Sequence, residues 1–439
     1  MSFKNFINRE VFFRIGELVM GTNTLAYQAA INKMLKWSRK EIISWQEKKL
    51  QLLINHAYNN TQYYRNLFDI NRIKPQDIQT IADLEQIPKL TKEIIRENFQ
   101  ALTSVKNTIR YRKASTGGSM GDPLRFLVSN PSWSFINAFK FMEWEKIGYR
   151  LGDNHIALGS SSLFPREKRS IKHDLYYLLK GKISVNGITF TNDKYLSIVK
   201  MMTDNKVKYL YGYAAAIYLF AEFVRANRLD LPYLKGVITT SEILLPEYYS
   251  IIKEAFNVPV LDAYGAADGG ISAYKLDDGL FEVGYNAIAQ IENRDISQHG
   301  PLLTTDLLNY AFPFIRYELG DEVSLSQTNE SVFNGQVFSK VLGRTPDVMR
   351  FANGRTLTGP GFTILLKDFN VYAYRLYSPN DKNLVCEIQK SHGFSVEEET
   401  KIRESLEYQA GENVKVDIHF KDSFEPLPNG KRNYFMIKV

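Results

Sequence analysis

Apolar and polar positions run along this chain in three different rhythms. From residue 24 to residue 68 apolar side chains recur every three or four positions, as in "AINKMLKWSRKEIISWQEKKLQLLINHAYNN", and no proline interrupts them. Such spacing predicts a helical preface. "TIADLEQIPKLTKEIIRENFQAL" follows, with Pro88 marking a break and Thr91 in position to cap a further amphipathic helix. From about residue 109 the rhythm changes. Short β-branched runs ("HIALGS", "VKYLYGY", "LKGVITTSE", "VPVLDAYGA") alternate with helical windows ("YLSIVKMMTDN", "AAAIYLFAEFVRANR", "LPEYYSIIKEAF"). That alternation predicts mostly parallel sheets with crossover helices. Between 281 and 341 the strand-like runs crowd together ("FEVGYNAIAQIE", "PLLTTDL", "FPFIRYELGDEVSL", "GQVFSKVLG"), which predicts hairpins or a small barrel.

A third pattern begins after "GRTPDVMRFANGR". Two strand-like runs, "VYAYRLYSP" and "NLVCEIQK", precede a helical window, "EEETKIRESLEYQA", and a last strand, "VKVDIHF". This is enough for a small α+β lid. The expected fold class is therefore α/β, with the boundary near Arg344 to Asp347. A large N-terminal domain spans 1–342 and includes the helical preface, 1–108. The smaller C-terminal lid domain spans 343–439.

Composition narrows the function. At 439 residues, 44% hydrophobic and 23% charged, the chain has the make-up of an ordinary globular protein of more than one domain. Lys and Arg exceed Asp and Glu by 55 to 48. The surplus is thin and forms no basic block, so nucleic acid is not an expected partner. An anionic small molecule remains compatible with it. The lone cysteine, Cys386, excludes an intrachain disulfide and a thiolate cluster for zinc, and points to a reducing compartment, the cytoplasm. The six histidines show no ligand spacing, so no transition metal is expected, and His155 reads as a core residue at a strand start. No run approaches the ~20 apolar residues of a membrane span. An N-terminal helix over 5–36 is expected to pack on the body, with a membrane-touching amphipathic helix left open.

Candidate chemistry starts at "ASTGGSMGDPLRF", residues 114 to 126. Glycines admit backbone close to an anion, and Ser115, Thr116 and Ser119 add hydroxyl donors. The run lacks the Gly-Lys-Ser/Thr ending of a Walker loop and the G-x-G-x-x-G spacing. On these residues alone a surface turn and a phosphate cradle are both open. "DAYGAADGG" at 262–270, "IRYELGD" at 315–321, "GRTPDVMRFANGR" at 343–355 and "PLPNGKRNYF" at 426–435 then follow in order. Together these five stretches resemble the signatures of the adenylate-forming superfamily of acyl-CoA synthetases, luciferases and adenylation domains. The preface, "HAYNNTQYYRNLF" and "IADLEQIPKLTKEIIRENF", is similar to the phenylacetate–CoA ligase branch and its CapK-like, capsular-polysaccharide relatives. The resemblance covers nearly the whole chain.

That resemblance implies an ATP- and Mg²⁺-dependent ligase that activates a small-molecule carboxylic acid as an acyl-adenylate. It places the ATP phosphates against Ser115, Thr116, Gly117, Gly118, Ser119 and Gly121. Tyr264, followed by Gly265, lies against the adenine, and Asp268 takes the magnesium position, where glutamate is usual. Asp321 holds the ribose hydroxyls and Arg344 reaches ribose or phosphate. Asp347 is the hinge and Lys431 the catalytic cation. Tyr211, Tyr213, Ser241 and Glu242 are candidates to line the acyl and adenine pocket, and Arg316 to serve either the nucleotide or a buried carboxylate. CoA is the superfamily's commonest acceptor, while an amine or a hydroxyl stays open, as does a homodimer. Asp268, and Met120 where a hydroxyl is frequent, motivate the rival of a non-catalytic scaffold. A nucleotidyl transferase acting on a cofactor phosphate is the other rival.

Overall fold

The computed structural model describes residues 6–115, 124–159, 181–186, 192–292, 299–326, 333–344, 348–350, 356–358, 366, 369–380, 382–411 and 414–424. By internal contacts the chain divides into two units, Met1–Leu342 and Gly343–Val439.

The long helical rhythm of the preface is broken into three helices, Thr24–Met34, Arg39–Asn60 and Gln62–Asn71. Both breaks come from side-chain capping at positions that look like ordinary polar sites in the pattern. Ser38 turns extended and accepts from the Glu41 amide, while the Glu41 carboxylate accepts from the Ser38 amide at 2.7 Å. Thr61 serves two helices: its hydroxyl donates to the Ala57 carbonyl at 2.8 Å and accepts from the Tyr64 amide. Ahead of these, the Arg14–Met20 helix is held at its ends, where Phe13 meets Phe141 edge-on and Asn130 donates to the carbonyls of Met20 and Gly21. Ile15, Leu18, Val19 and Met20 are exposed and no residue of the helix is buried, so the expected packing on the body is not seen along its length.

Beyond the preface, β1 (Tyr111–Ser115) and β2 (Arg125–Ser129) form an antiparallel ribbon. Eleven strands then share one sheet. They are β3 (His155–Gly159), β4 (Lys182–Asn186), β5 (Tyr209–Tyr213), β6 (Gly236–Thr240), β7 (Val260–Ala266), β8 (Ile271–Leu276), β9 (Phe281–Val283), β10 (Ala287–Ile291), β11 (His299–Asp306), β12 (Tyr317–Leu325) and β13 (Val337–Arg344). Their order across the sheet is 10-11-12-13-9-8-7-6-5-3-4. Strands β3 to β7 pair in parallel. From β7 onward the sheet turns antiparallel through β8 and β9, and again between β10, β11 and β12. The sheet is therefore mixed, and among the described residues the crowded strands extend it rather than close a barrel.

Alternate residues of the parallel strands face different layers. Ala157, Tyr209, Tyr211, Ile238 and Leu261 join the Asn130–Glu145 helix through Phe135, Phe139 and Met142. Their neighbours Ile156, Leu158, Leu210, Val237 and Val260 pack against the helices Asn192–Asp204, Ala214–Ala226 and Pro246–Phe256. The preface covers the antiparallel half instead, where Leu50, Leu53, Tyr64 and Phe68 meet Phe312, Phe314 and Tyr317.

The smaller unit has its own sheet. A two-stranded hairpin, β14 (Val348–Arg350) and β15 (Thr356–Thr358), precedes a three-stranded sheet of β16 (Val371–Asn380), β17 (Asn383–Lys390) and β18 (Lys415–Phe420). The Val396–Ala410 helix crosses from β17 to its parallel neighbour β18. Strand, strand, helix, strand is the order the sequence pattern predicts. Leu376, Ile388, Ile402 and Leu406 fill its core with Cys386, whose thiol is fully buried. No helix among the described residues is long and apolar enough to cross a membrane.

Candidate active site

Strand β7 ends in a tight turn, 267–270, before β8 returns beside it. Gly269 and Gly270 both adopt positive φ, +82° and +66°. Side chains there would collide with Thr304 and with the Asp306 carboxylate respectively, so the turn lies directly on β11. Asn286 donates to the Gly270 carbonyl at 2.8 Å and fixes it from below. Burial pushes the Asp306 carboxyl up to about 6, against hydrogen bonds from Ser132, at 2.6 Å, and the Leu308 amide. Asp262, two residues before Tyr264, is likewise raised to about 6 by burial, although Thr239 donates to it at 2.8 Å.

This turn presents Asp268, which is 9% exposed. The Tyr317 hydroxyl donates to its Oδ2 at 3.0 Å, and Tyr317 itself is fully buried. Tyr264, four residues earlier, donates its hydroxyl to Asp321 Oδ2 at 2.7 Å. Asp321 is also 9% exposed. The structure thus places Tyr264, Asp268 and Asp321, three of the residues singled out from sequence, in two hydrogen-bonded pairs, Tyr264 with Asp321 and Tyr317 with Asp268. A single hard carboxylate is enough for a magnesium ion that keeps most of its coordination for phosphates and water. Asp268 would hold such an ion.

The approach of β12 to this group is set by the preface. Leu90 pairs with the strand on both sides of Tyr317, donating to the Arg316 carbonyl at 3.1 Å and accepting from the Glu318 amide at 2.9 Å. Lys89 bridges Glu292 and Glu318 at 2.8 and 3.0 Å, and Lys92 donates to the Leu319 carbonyl at 3.0 Å. Arg316 stands at φ +49°, and its Nη1 donates to the carbonyls of Glu85, at 3.1 Å, and Ile87, at 2.5 Å. One guanidinium nitrogen is therefore engaged by preface carbonyls while the buried Nε has no hydrogen-bond partner among the described residues, and desolvation lowers the pKa. Sequence reasoning left Arg316 between a nucleotide and a carboxylate and gave Tyr317, Lys89 and Lys92 no part. The identical Tyr-x-x-x-Asp spacing in "YGAAD" and "YELGD" was the available signal for Tyr317.

The pocket candidates separate. Tyr211, 8% exposed, lies in an aromatic group with Trp144 at 5.1 Å, and the Lys140 ammonium is 4.3 Å from its ring centroid. Tyr213, 4% exposed, packs into the other layer. Ser241 follows β6 in the left-handed region at φ +66°, a costly conformation for serine, and is exposed, with Glu242 half-buried beside it. His155 is buried against Trp144 and Tyr149, as a core histidine. Gly265 lies within β7, and Ser115 closes β1, paired with Arg125. Arg344 ends β13, but its side chain lies outside the described residues, as do Thr116, Gly117, Gly118, Ser119, Gly121, Asp347 and Lys431.

No established family profile matches the chain. It is similar along most of its length to Protein CapK of Staphylococcus aureus, with 21% identity over 405 residues, 90% of this chain and 89% of that protein. The fold is similar to that of 2-hydroxyisobutyryl-CoA ligase in the postadenylation state, with a TM-score of 0.67 at 17% identity, covering 90% of this chain and 89% of the other. The chain thus shares the fold of an acyl-CoA ligase and aligns with CapK along most of its length, in line with the resemblance to the adenylate-forming superfamily. Locally the chain is also similar to the phenylacetate-coenzyme A ligase of Aromatoleum evansii, 30% identical over 129 residues, 28% of this chain and 29% of that enzyme. In adenylate-forming terms, the Tyr264 and Asp321 motifs, far apart in sequence, are joined here by a direct hydrogen bond.

Proposed function

We propose that the protein is an ATP-dependent, AMP-forming carboxylate ligase. The observation that carries this reading is the junction of the "YGAAD" and "YELGD" motifs, where the largely buried Asp268 and Asp321 each accept a hydrogen bond from a tyrosine. Asp321 can accept both ribose hydroxyls of ATP, because a carboxylate offers lone pairs on two oxygens. Bound magnesium would neutralise phosphate charge beside Asp268. A substrate carboxylate oxygen then attacks the α-phosphorus, an acyl-adenylate forms and pyrophosphate leaves.

Lys431 would place an ammonium between the substrate carboxylate and the α-phosphate, where negative charge builds in the transition state. The residues from Ser115 to Gly121 would position the leaving pyrophosphate. The unit Gly343–Val439 would serve as a mobile lid pivoting at Asp347, withdrawing Lys431 before the acyl group passes on. For the acceptor, a thiol is favoured: the neighbouring 2-hydroxyisobutyryl-CoA ligase is described with 2-HIB-AMP and CoA together. A surface polysaccharide as the final destination of the acyl group rests on the resemblance of the preface to capsular-polysaccharide relatives.

A pyrophosphate-release assay across a panel of carboxylic acids, with and without CoA, tests the reading. ATP-dependent release with at least one acid is expected. No release with any acid, together with no ATP binding by the purified protein, sinks it in favour of a non-catalytic scaffold. In the active protein, Lys431→Ala should lower adenylation by about 10²–10³ while ATP binding is largely kept. Unchanged adenylation by that variant would refute the assignment of Lys431.

A further inference from the structure

The two motifs at the junction share a spacing. "YGAAD" and "YELGD" each place an aspartate four residues after a tyrosine. In the fold the partners are exchanged. Tyr264 of the first motif donates to Asp321 of the second, and Tyr317 of the second donates to Asp268 of the first. The strands that carry them, β7 and β12, are not neighbours in the sheet, so the backbone ladder does not impose this match.

Each tyrosine ring is held independently of its hydroxyl. Tyr317 packs edge-on against Phe314 with centroids 5.0 Å apart, and Tyr264 against Phe338 at 6.4 Å. The Asp268 turn is also fixed from beneath, through its contacts with Thr304, Asp306 and Asn286. With the tyrosine rings packed in this way, each hydroxyl stands at a set point against the carboxylate it meets. An aspartate has one side-chain torsion fewer than glutamate, so a single hydrogen bond leaves it little freedom.

We infer that these four residues form a reciprocal latch, in which each tyrosine hydroxyl positions the carboxylate of the opposite motif for its ligand. Tyr317 orients Asp268 toward a divalent cation, and Tyr264 orients Asp321 toward the ribose hydroxyls. Aspartate in place of the usual glutamate at 268 is then the side-chain length that Tyr317 fits. The inference rests on the nucleotide reading above and adds to it two positioning residues with crossed effects.

The test uses the full-length protein and two conservative variants, Tyr317→Phe and Tyr264→Phe, which keep both rings. Mn²⁺ affinity is titrated by electron paramagnetic resonance in the presence of a non-hydrolysable ATP analogue. Discrimination between ATP and 2′-deoxyATP is measured by calorimetry in EDTA. Tyr317→Phe should weaken Mn²⁺ binding roughly tenfold, as expected for loss of one hydrogen bond to a charged group, while nucleotide affinity in EDTA stays within about twofold. Tyr264→Phe should lower the preference for ATP over 2′-deoxyATP roughly tenfold and leave Mn²⁺ binding nearly unchanged.

A purely structural role for the hydroxyls would move both readouts together with the melting temperature, and that result overturns the latch. So does wild-type behaviour in both variants. Should Tyr317→Phe fail to fold, the Tyr264→Phe arm decides alone, and unchanged ribose discrimination overturns the proposal. A wild-type protein that binds neither nucleotide nor Mn²⁺ with nucleotide refutes the ligase reading and the latch with it. That outcome is distinct from one in which the wild type binds both and the variants match it.

Discussion

Glu143 sits on the Asn130–Glu145 helix with 4% of its surface exposed. Burial pushes its carboxyl up to about 8, against the pull of the nearby Lys140 charge. The native state therefore keeps a proton that the unfolded chain has already released. A raised carboxyl pKa contributes stability that is complete below the unfolded value and is lost as pH climbs through the folded one. Asp262 and Asp306, both near 6, act in the same direction over a lower range. Between pH 6 and 8 Glu143 should thus dominate, with stability falling by at most about 1.4 kcal/mol per pH unit. Glu143→Gln should flatten that segment, as followed by urea unfolding at several pH values. A wild-type slope retained in the variant would assign the titration elsewhere. Nothing in the sequence marks Glu143 as a buried acid, because one glutamate on an amphipathic helix reads as a solvated position until neighbouring layers are placed.

The same limit operates on Arg316. Its motif position suggested a ligand, yet the guanidinium is used by the carbonyls of Glu85 and Ile87, more than 200 residues earlier in the chain. Tyr264, Asp268 and Asp321 could be singled out because their motifs resemble family signatures. Tyr317, Thr304 and Asn286 were not, because their value lies in what they touch.

At the scale of elements, the preface shows how period alone misplaces boundaries. Ser38 and Thr61 fall on polar positions of an unbroken helical pattern and break it only because their side chains bond to the backbone. The turn after β7 shows the converse, a local signal with a tertiary reason. Two consecutive glycines announce a turn, but the pair is required by the contact with β11 as well as by positive φ. Gly270→Ala should therefore cost at least about 1 kcal/mol in chemical unfolding, because both the conformation and the Asp306 contact oppose a methyl group. Stability within roughly 0.5 kcal/mol of wild type would show that the turn relaxes easily. The crowded strands of 281–344 were recognised as strands. Their joining of the one large sheet depended on long-range pairing, such as β13 with β9, that short-range spacing does not encode.

For the whole molecule, the division into Met1–Leu342 and Gly343–Val439 accompanies separate apolar cores. Ile402 is fully buried in the smaller one, between the Val396–Ala410 helix and its sheet. Ile402→Ala should remove about 2–5 kcal/mol from that unit. Scanning calorimetry should show one component moving down while the other holds its temperature. A single transition that shifts as a whole would mean that the two cores unfold together.

By itself the sequence determined the strand and helix alternation, the change of pattern near residue 343, and which carboxylates and aromatics are available for chemistry. Those are local properties, written in hydrophobic period and in the donor and acceptor character of each side chain. Only the tertiary structure decided that β7 and β12, four places apart in the sheet, exchange tyrosine hydroxyls for carboxylates, and that the preface grips the strand on which half of that exchange depends. Such matches arise where packed layers fix two distant rings within a few tenths of an ångström, and a linear pattern carries no distance between them.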